Sequence, residues 1–224
     1  MVRLEQIGKR YGAGPPVLSD VSLALEAGGF YFLTGASGAG KTTLLKIILL
    51  AERPTAGRVM LFGGDAGQLD RAGRAALRRR IGFVFQDFRL VDDLSAADNV
   101  ALPLRIAGAA EREISDNVAE LLAWVGLEKR TDAPASTLSG SERQRIAIAR
   151  AIVGRPLLLL ADEPTGTVDR DAALALVQIF ERLNRLGTTV LIATHDIAFA
   201  DRFEHRTFRL DDGSLSVAPY TAAS

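Results

Sequence analysis

The chain has 224 residues, 48% of them hydrophobic, enough to bury a core as one large domain or as a domain with a subdomain. Its 27 Lys and Arg balance its 27 Asp and Glu, a neutral total that asks for neither nucleic acid nor an anionic surface, and the lack of cysteine excludes disulfides and thiolate metal sites. No apolar run approaches the roughly 18 residues of a membrane span, and Met1 to Glu5 lacks a signal peptide's apolar stretch, so a cytosolic product without direct membrane insertion is expected.

Val2 to Ile7 and Val21 to Glu26 alternate with period two around a Gly12 to Pro16 turn, which predicts antiparallel strands with one wet face. Tyr11, at the end of the first, either packs beside the turn or stacks on a flat base. Next come the apolar run Phe30 to Leu33, the stretch Gly35-Ala36-Ser37-Gly38-Ala39-Gly40-Lys41-Thr42-Thr43, and the helix-like Leu44 to Leu50. That order of strand, glycine-rich loop and helix carries the full G-x-x-x-x-G-K-T spacing. Its glycines let the backbone turn N–H groups onto a polyphosphate, and the helix N-terminus adds partial positive charge. Lys41 is placed to reach the β- and γ-phosphates and the Thr42 hydroxyl to ligate Mg²⁺, so the chain is expected to bind a nucleoside triphosphate.

Arg53 to Gly57 reads as a turn and Arg58 to Phe62 as a strand. Arg71 to Arg80 holds five arginines, expected to form a solvated helix face offset by acidic residues elsewhere. Ile81 to Phe85 is a short buried strand that delivers Gln86 at its end. From Asp87 to about Thr137 the pattern turns helical, with a start at Ser95 to Asp98, helical spacing over Leu102 to Ile106 and Ile114 to Val125, and punctuation at Gly108 and Gly126. Within that block Phe88, Leu90, Val91 and Leu94 either pack into the core or line a docking groove. Leu157 to Asp162 and Thr189 to Ala193 are continuous apolar runs, suited to central parallel strands, with a helix from Asp171 to Leu186 between them, ended by Gly187. Arg206 to Leu210 and Ser214 to Val217 flank a hairpin turn at Asp211 to Gly213, and Ala218 to Ser224 is expected to fray.

The expected fold is an α/β P-loop NTPase core, a mixed sheet with helices on both faces and antiparallel N-terminal strands, plus an inserted α-helical subdomain. Residues 1–86 and 157–217 form the core and 87–156 the insert, all within a single nucleotide-binding domain. Ligands of such sheets gather beyond the carboxyl ends of the strands. The phosphate loop, Gln86, Asp162-Glu163 and His195 each fall at such an end. Asp162 is suited to hold Mg²⁺ and Glu163 to polarise a water in line with the γ-phosphate. Leu138 to Arg145 opens another helix, and Ser139-x-x-Glu142 has capping-box spacing, which makes a second anion-ready helix N-terminus. One triphosphate does not need two, so a head-to-tail homodimer is expected, with this helix capping the γ-phosphate held by the other subunit.

Over nearly its whole length the chain resembles the ATP-binding cassette ATPases. The resemblance implies that Gly35 to Thr43 is the Walker A motif, Leu157 to Asp162 the Walker B motif, Glu163 the catalytic base and His195 the switch histidine. It also makes Gln86 a catalytic and Mg²⁺-side residue, Ser139, Gly140 and Ser141 the signature contacts to nucleotide, Thr167-Val168-Asp169 the D-loop and Tyr11 the adenine-stacking residue. More narrowly, Leu33 to Gly35 with Ser37 to Lys46, Glu52 to Gly57 and Phe85 to Phe88 are similar to the FtsE type of cell-division cassette. That similarity implies ATP hydrolysis with Mg²⁺ in a dimer, peripheral on the inner face of the plasma membrane. It further implies a four-span FtsX-like permease partner and control of cell-wall hydrolysis. Lipoprotein-release and macrolide-export ATPases share most of these motifs and are the alternative, and a nucleotide-dependent scaffold is a third reading. A soluble ATPase of DNA or ribosomes is disfavoured, since the long coiled-coil insert and the second cassette are lacking. Two departures stand out: Ser141 where the family has Gly, and Thr167-Val168 where it has Asn-Leu. A Cβ at 141 crowds the phosphate approach, so slow or partner-dependent hydrolysis is expected.

Overall fold

In the computed structural model, which describes residues 1–166 and 168–217, strand β1 (Val2–Arg10) pairs antiparallel with β2 (Pro16–Leu25) as their alternation predicts. The expectations for Thr167 and for a frayed tail over 218–224 fall outside the described residues. The chain continues through β3 (Phe30–Thr34), α1 (Lys41–Ile48), β4 (Ala56–Leu61), β5 (Gly64–Asp65), α2 (Arg71–Arg78) and β6 (Ile81–Val84). Three helices follow, α3 (Ala96–Ala107), α4 (Glu111–Trp124) and α5 (Gly140–Ile152). The chain then returns through β7 (Leu158–Asp162), α6 (Arg170–Arg185), β8 (Thr189–Thr194), α7 (Ile197–Ala200), β9 (Arg206–Asp211) and β10 (Ser214–Val217).

Two sheets result. One is antiparallel, in the order β2-β1-β4-β5, and the other runs β10-β9-β3-β8-β7-β6. In the second sheet all neighbours are parallel except the edge strand β10. The parallel strands are buried on both sides, and their period-two alternation sorts side chains between two cores. Tyr31, Leu33, Leu158, Leu160, Leu191 and Ala193 face one apolar cluster, which also takes Leu44, Leu45, Ile47 and Ile48 of α1 and the inner face of the antiparallel sheet. Phe30, Phe32, Leu159, Ala161, Val190 and Ile192 face the other, closed by Val177 and Phe180 of α6.

The helical block has a third cluster of its own, built from Val100, Ile114, Val118, Leu122 and Ile146. Helix α5 joins the two bodies: Ile148 and Ile152 pack on the sheet, while Ile146, Ala149 and Val153 face α3 and α4. Ser95 caps α3 as expected, its hydroxyl accepting from the Asp98 N–H at 3.0 Å. Gly108 and Gly126 follow α3 and α4 with positive φ.

Several boundaries differ from those the sequence suggests. Helix α1 begins at Lys41 rather than Leu44, because the open N–H groups of the phosphate loop are those of the helix's own first turn. Helix α2 ends at Arg78 and buries none of its residues. Strand β9 is more than half of a hairpin, for it runs parallel beside β3 with Phe208 opposite Leu33. Of the four apolar residues after Gln86, Leu90 packs against the helical core and Val91 stands in solvent. No helix among the described residues is long and apolar enough to cross a membrane.

Candidate functional site

The carboxyl ends of β3, β6, β7 and β8 meet at one cleft of about 330 Å³, lined by Val17, Ser37, Gly38, Gly40, Lys41, Thr42, Thr43, Gln86, Glu163 and His195. The loop from β3 reaches it under tight constraint. Gly35 has φ 152, and a Cβ there would stand 2.2 Å from the Leu210 carbonyl oxygen; Gly40 has φ 104, with the Val17 oxygen 2.9 Å from a Cβ. The first intrahelical bond of α1 runs from the Leu44 N–H to the Gly40 oxygen, at 2.9 Å. The N–H groups of Lys41, Thr42 and Thr43 therefore have no intrahelical acceptor and supply an anion site with the helix dipole behind it.

Lys41 is almost fully buried. Its ammonium donates to the carbonyls of Gly35 at 2.8 Å and Ala36 at 3.1 Å, and lies 3.3 Å from Glu163 Oε1. The Thr42 hydroxyl donates to Asp162 Oδ2 at 2.8 Å. Asp162 Oδ1 is buried with no hydrogen-bond partner, and burial pushes this carboxyl above its usual range, the Thr42 bond only partly opposing it. A hydroxyl beside an unsatisfied carboxylate oxygen is a hard-oxygen donor pair, and the exposed Gln86 amide lies across the same cleft. No group of three or more His, Cys, Asp or Glu converges among the described residues. These donors fit Mg²⁺, which needs only one or two protein carboxylates and completes its shell with other oxygens, phosphate and water.

Glu163 is held in an uncommon conformation, φ 48, which costs a non-glycine residue on the order of 1–3 kcal/mol. Its backbone N–H donates to the Ala193 oxygen at 2.9 Å, and its Oε2 accepts from the His195 N–H at 3.2 Å and lies 2.9 Å from His195 Nδ1. One carboxylate is thus bound by Lys41 on one oxygen and by His195 on the other. The other histidine is structural: His205 stacks on Phe30 at 4.1 Å and contacts Glu181 at 3.0 Å.

Sequence patterns gave no sign of what holds the segment behind Gln86. Phe88 and Arg89 both have positive φ, 58 and 48, and their carbonyls point to the guanidinium of Arg150 on α5. Arg150 donates to the Phe88 oxygen at 2.5 Å and to the Arg89 oxygen at 2.6 Å, and its burial lowers its pKa. Arg143, two turns earlier on the same face of α5, donates to Asp92 at 2.7 Å and lies over the Phe88 ring at 5.8 Å. These contacts bridge the helix after the signature to the strand end that carries Gln86.

Other sequence-predicted residues do not line the cleft. Tyr11 is exposed at the end of β1, with the Lys9 ammonium 4.6 Å from its ring centroid. Asp169 caps α6, accepting from the Ala172 N–H at 2.9 Å. Ser139 and Glu142 form the expected capping box at the start of α5, which leaves the N–H groups of Gly140 and Ser141 without intrahelical acceptors, away from Lys41.

The ABC transporter family profile matches residues 18–166. The chain is 45% identical to the cell division ATP-binding protein FtsE of Escherichia coli, over 96% of this chain and 97% of that protein. It is 42% identical to FtsE of Mycobacterium tuberculosis, over 96% and 94%. A solved ATP-binding cassette, a dimer in a post-hydrolysis state bound to ADP and Pi, superposes with a TM-score of 0.90 at 35% identity, both chains covered in full. The chain belongs to the ATP-binding cassette family, as an ATP-hydrolysing subunit of the FtsE type.

Proposed function

We propose that this subunit works as a homodimer on the inner face of the plasma membrane, driving a four-span FtsX-like partner to control cell-wall hydrolysis in division. The likeness to FtsE supports the partner and the role, and the observation that carries the homodimer is the split between two anion sites. One, at α1, is surrounded by Thr42, Asp162, Glu163, His195 and Gln86, while the other, at α5, stands apart with two open N–H groups. Two chains head to tail bring one of each kind to each triphosphate.

In that dimer the N–H groups of Lys41, Thr42 and Thr43 and the Lys41 ammonium bind the phosphates. Tyr11 stacks on adenine, and Asp169 supports the subunit boundary. Thr42, Asp162 and Gln86 would hold Mg²⁺, which would supply charge neutralisation for the triphosphate. Glu163 Oε1 orients the attacking water and takes its proton, while His195 holds the carboxylate in place through Oε2. Lys41 competes for Oε1. A γ-phosphate that draws the ammonium away frees the base, so that binding prepares the chemistry. Gly140 and Ser141 of the second chain donate to the γ-phosphate. The Arg150 bridge then couples closure of α5 to Gln86 and to the partner.

The test is ATP turnover in nanodiscs with and without an FtsX-like four-span protein. Co-purification and partner-stimulated, Mg²⁺-dependent turnover are expected, with Glu163→Gln slower by about 10²–10⁴. Association instead with a longer permease bearing a large periplasmic domain would assign an exporter role, and negligible turnover in every arm would assign a scaffold.

A further inference from the structure

The neutral total conceals a local imbalance. From Ala51 to Arg80 the chain carries seven arginines against three carboxylates. Helix α2 sets Arg71, Arg74 and Arg78 at spacings of three and four, one stripe along a helix with no acidic residue of its own. Arg79 and Arg80 follow at its end, and Arg53 approaches from the turn after α1. The Arg74 guanidinium lies below its ordinary pKa through its own burial and then through the charges of Arg53 and Arg78.

The expected offset by acidic residues is not realised in space. Glu52 pairs with Lys9 at 2.9 Å, Asp65 with Arg58 at 3.5 Å, and Asp70 caps α2 by accepting from the Gly73 N–H at 2.7 Å. Among the described residues no carboxylate pairs with any arginine of α2 or with Arg53, Arg79 or Arg80. Two of these side chains also have structural work. Arg74 donates to the Leu50 and Ala66 carbonyls, and Arg80 lies over the Phe62 ring at 4.3 Å. Arg53, Arg71, Arg78 and Arg79 are exposed.

What the face lacks decides what it fits. Between the arginines stand only alanines and Gly73, and Leu77 turns inward against the core. A protein partner's hot spots set Arg together with Trp or Tyr in packed, desolvated pockets, and a single-stranded nucleic acid uses exposed stacking rings. Neither is present here. Guanidinium forks match phosphate oxygens, and a short, convex, purely charged helix meets a plane of phosphates without needing a groove.

We propose that the exposed face of α2, with Arg53, is a seat for the anionic phospholipid headgroups of the membrane on which the cassette works. The inference rests on the membrane-associated reading above and not on the identity of the membrane partner. Arg74 ties α2 to the carboxyl end of α1, and α2 leads into the amino end of β6, so the seat lies at the pole opposite the phosphate loop. Lipid contact there leaves the nucleotide cleft and the N-terminus of α5 open. Without apolar side chains to insert, the contact is electrostatic and yields to salt.

The test is co-sedimentation of the isolated protein with phosphatidylglycerol-rich vesicles and with phosphatidylcholine vesicles, in low and high salt, without the membrane partner. Retention on the anionic vesicles alone, lost in high salt, is expected. A basic residue at an anionic leaflet is worth about fivefold in partitioning, so Arg71→Glu with Arg78→Glu and Arg79→Glu should weaken retention by roughly a hundredfold or more. Thermal unfolding and ATP binding should stay at parent values. A control with the same net charge, Arg112→Glu with Lys129→Glu and Arg185→Glu, should keep most of the retention. No retention of the parent, equal loss in the control, or an undiminished triple variant would each overturn the proposal. Preferential capture by a poly-glutamate peptide or by DNA over the anionic vesicles would also overturn it, reassigning the face to a protein or a nucleic acid. Partner-dependent turnover is untouched by these outcomes, so failure here and failure of the proposed function are told apart.

Discussion

The N-termini of α1 and α5 both present unpaired backbone N–H groups, yet their surroundings differ. At α1 three open N–H groups share a cleft with a buried ammonium, an unsatisfied carboxylate oxygen and a strained glutamate braced by a histidine. At α5 the capping box satisfies the N–H groups of Ser139 and Glu142 and engages the Glu142 carboxylate, and only the N–H groups of Gly140 and Ser141 stay open. The first end has what binding and chemistry need, and the second has only donors. On the dimer reading proposed above, the difference means that one fold carries complementary halves of two different sites, each completed by the second chain. On the same reading the Arg150 contacts tie α5 to the segment behind Gln86, and so link the two ends.

The comparison breaks most completely at Lys41. Lys41→Ala removes the buried charge from the α1 end, and equilibrium titration with a fluorescent ATP analogue should show binding abolished, because the α5 end cannot hold a triphosphate alone. Near-parent affinity would mean that the two ends are not unequal in the way described.

Arg150→Lys sharpens it. The charge stays but the fork that spans two adjacent carbonyls is lost, at a cost of about 1.4 kcal/mol or tenfold in rate if closure of α5 sets the position of Gln86. Steady-state kinetics should show kcat falling with little change in KM for ATP. An unchanged kcat would cut the link between the two ends.

Ser141→Gly should have the smallest effect, a rise in basal phosphate release, with about tenfold for each 1.36 kcal/mol of transition-state stabilisation recovered. The Cβ stands beside one of the two open N–H groups of α5, and its removal lets the phosphate approach. A fall in rate would assign the serine hydroxyl a hydrogen bond of its own, and no change would remove crowding from the account.

Much of this was legible because the informative patterns are local. The loop from Gly35 to Thr43, the leucine run into Asp162 and the Ser139 to Glu142 cap each lie within a few residues of chain, so spacing alone predicts their geometry. Sheet membership is set by pairs distant in sequence, and nothing within Arg206 to Leu210 shows that it lies beside β3. Arg150 was hidden for the same reason, since its partners stand some sixty residues away and are backbone oxygens that every residue carries. The strain at Glu163 was hidden too, because nothing in Asp-Glu-Pro announces a positive φ at its centre. On α2 the sequence reveals only how many charges of each sign lie nearby, whereas the structure shows where each carboxylate is already engaged.

The central claim, that one chain holds two halves of different sites, is tested most directly by the mass of the Glu163→Gln protein in ATP and Mg²⁺, measured by light scattering. Blocking hydrolysis should trap two chains together, and adding Ser141→Glu, which sets a carboxylate against the γ-phosphate, should return the mass to that of one chain. A Glu163→Gln protein that stays at the mass of one chain in ATP, or a pair that survives Ser141→Glu, would contradict the account.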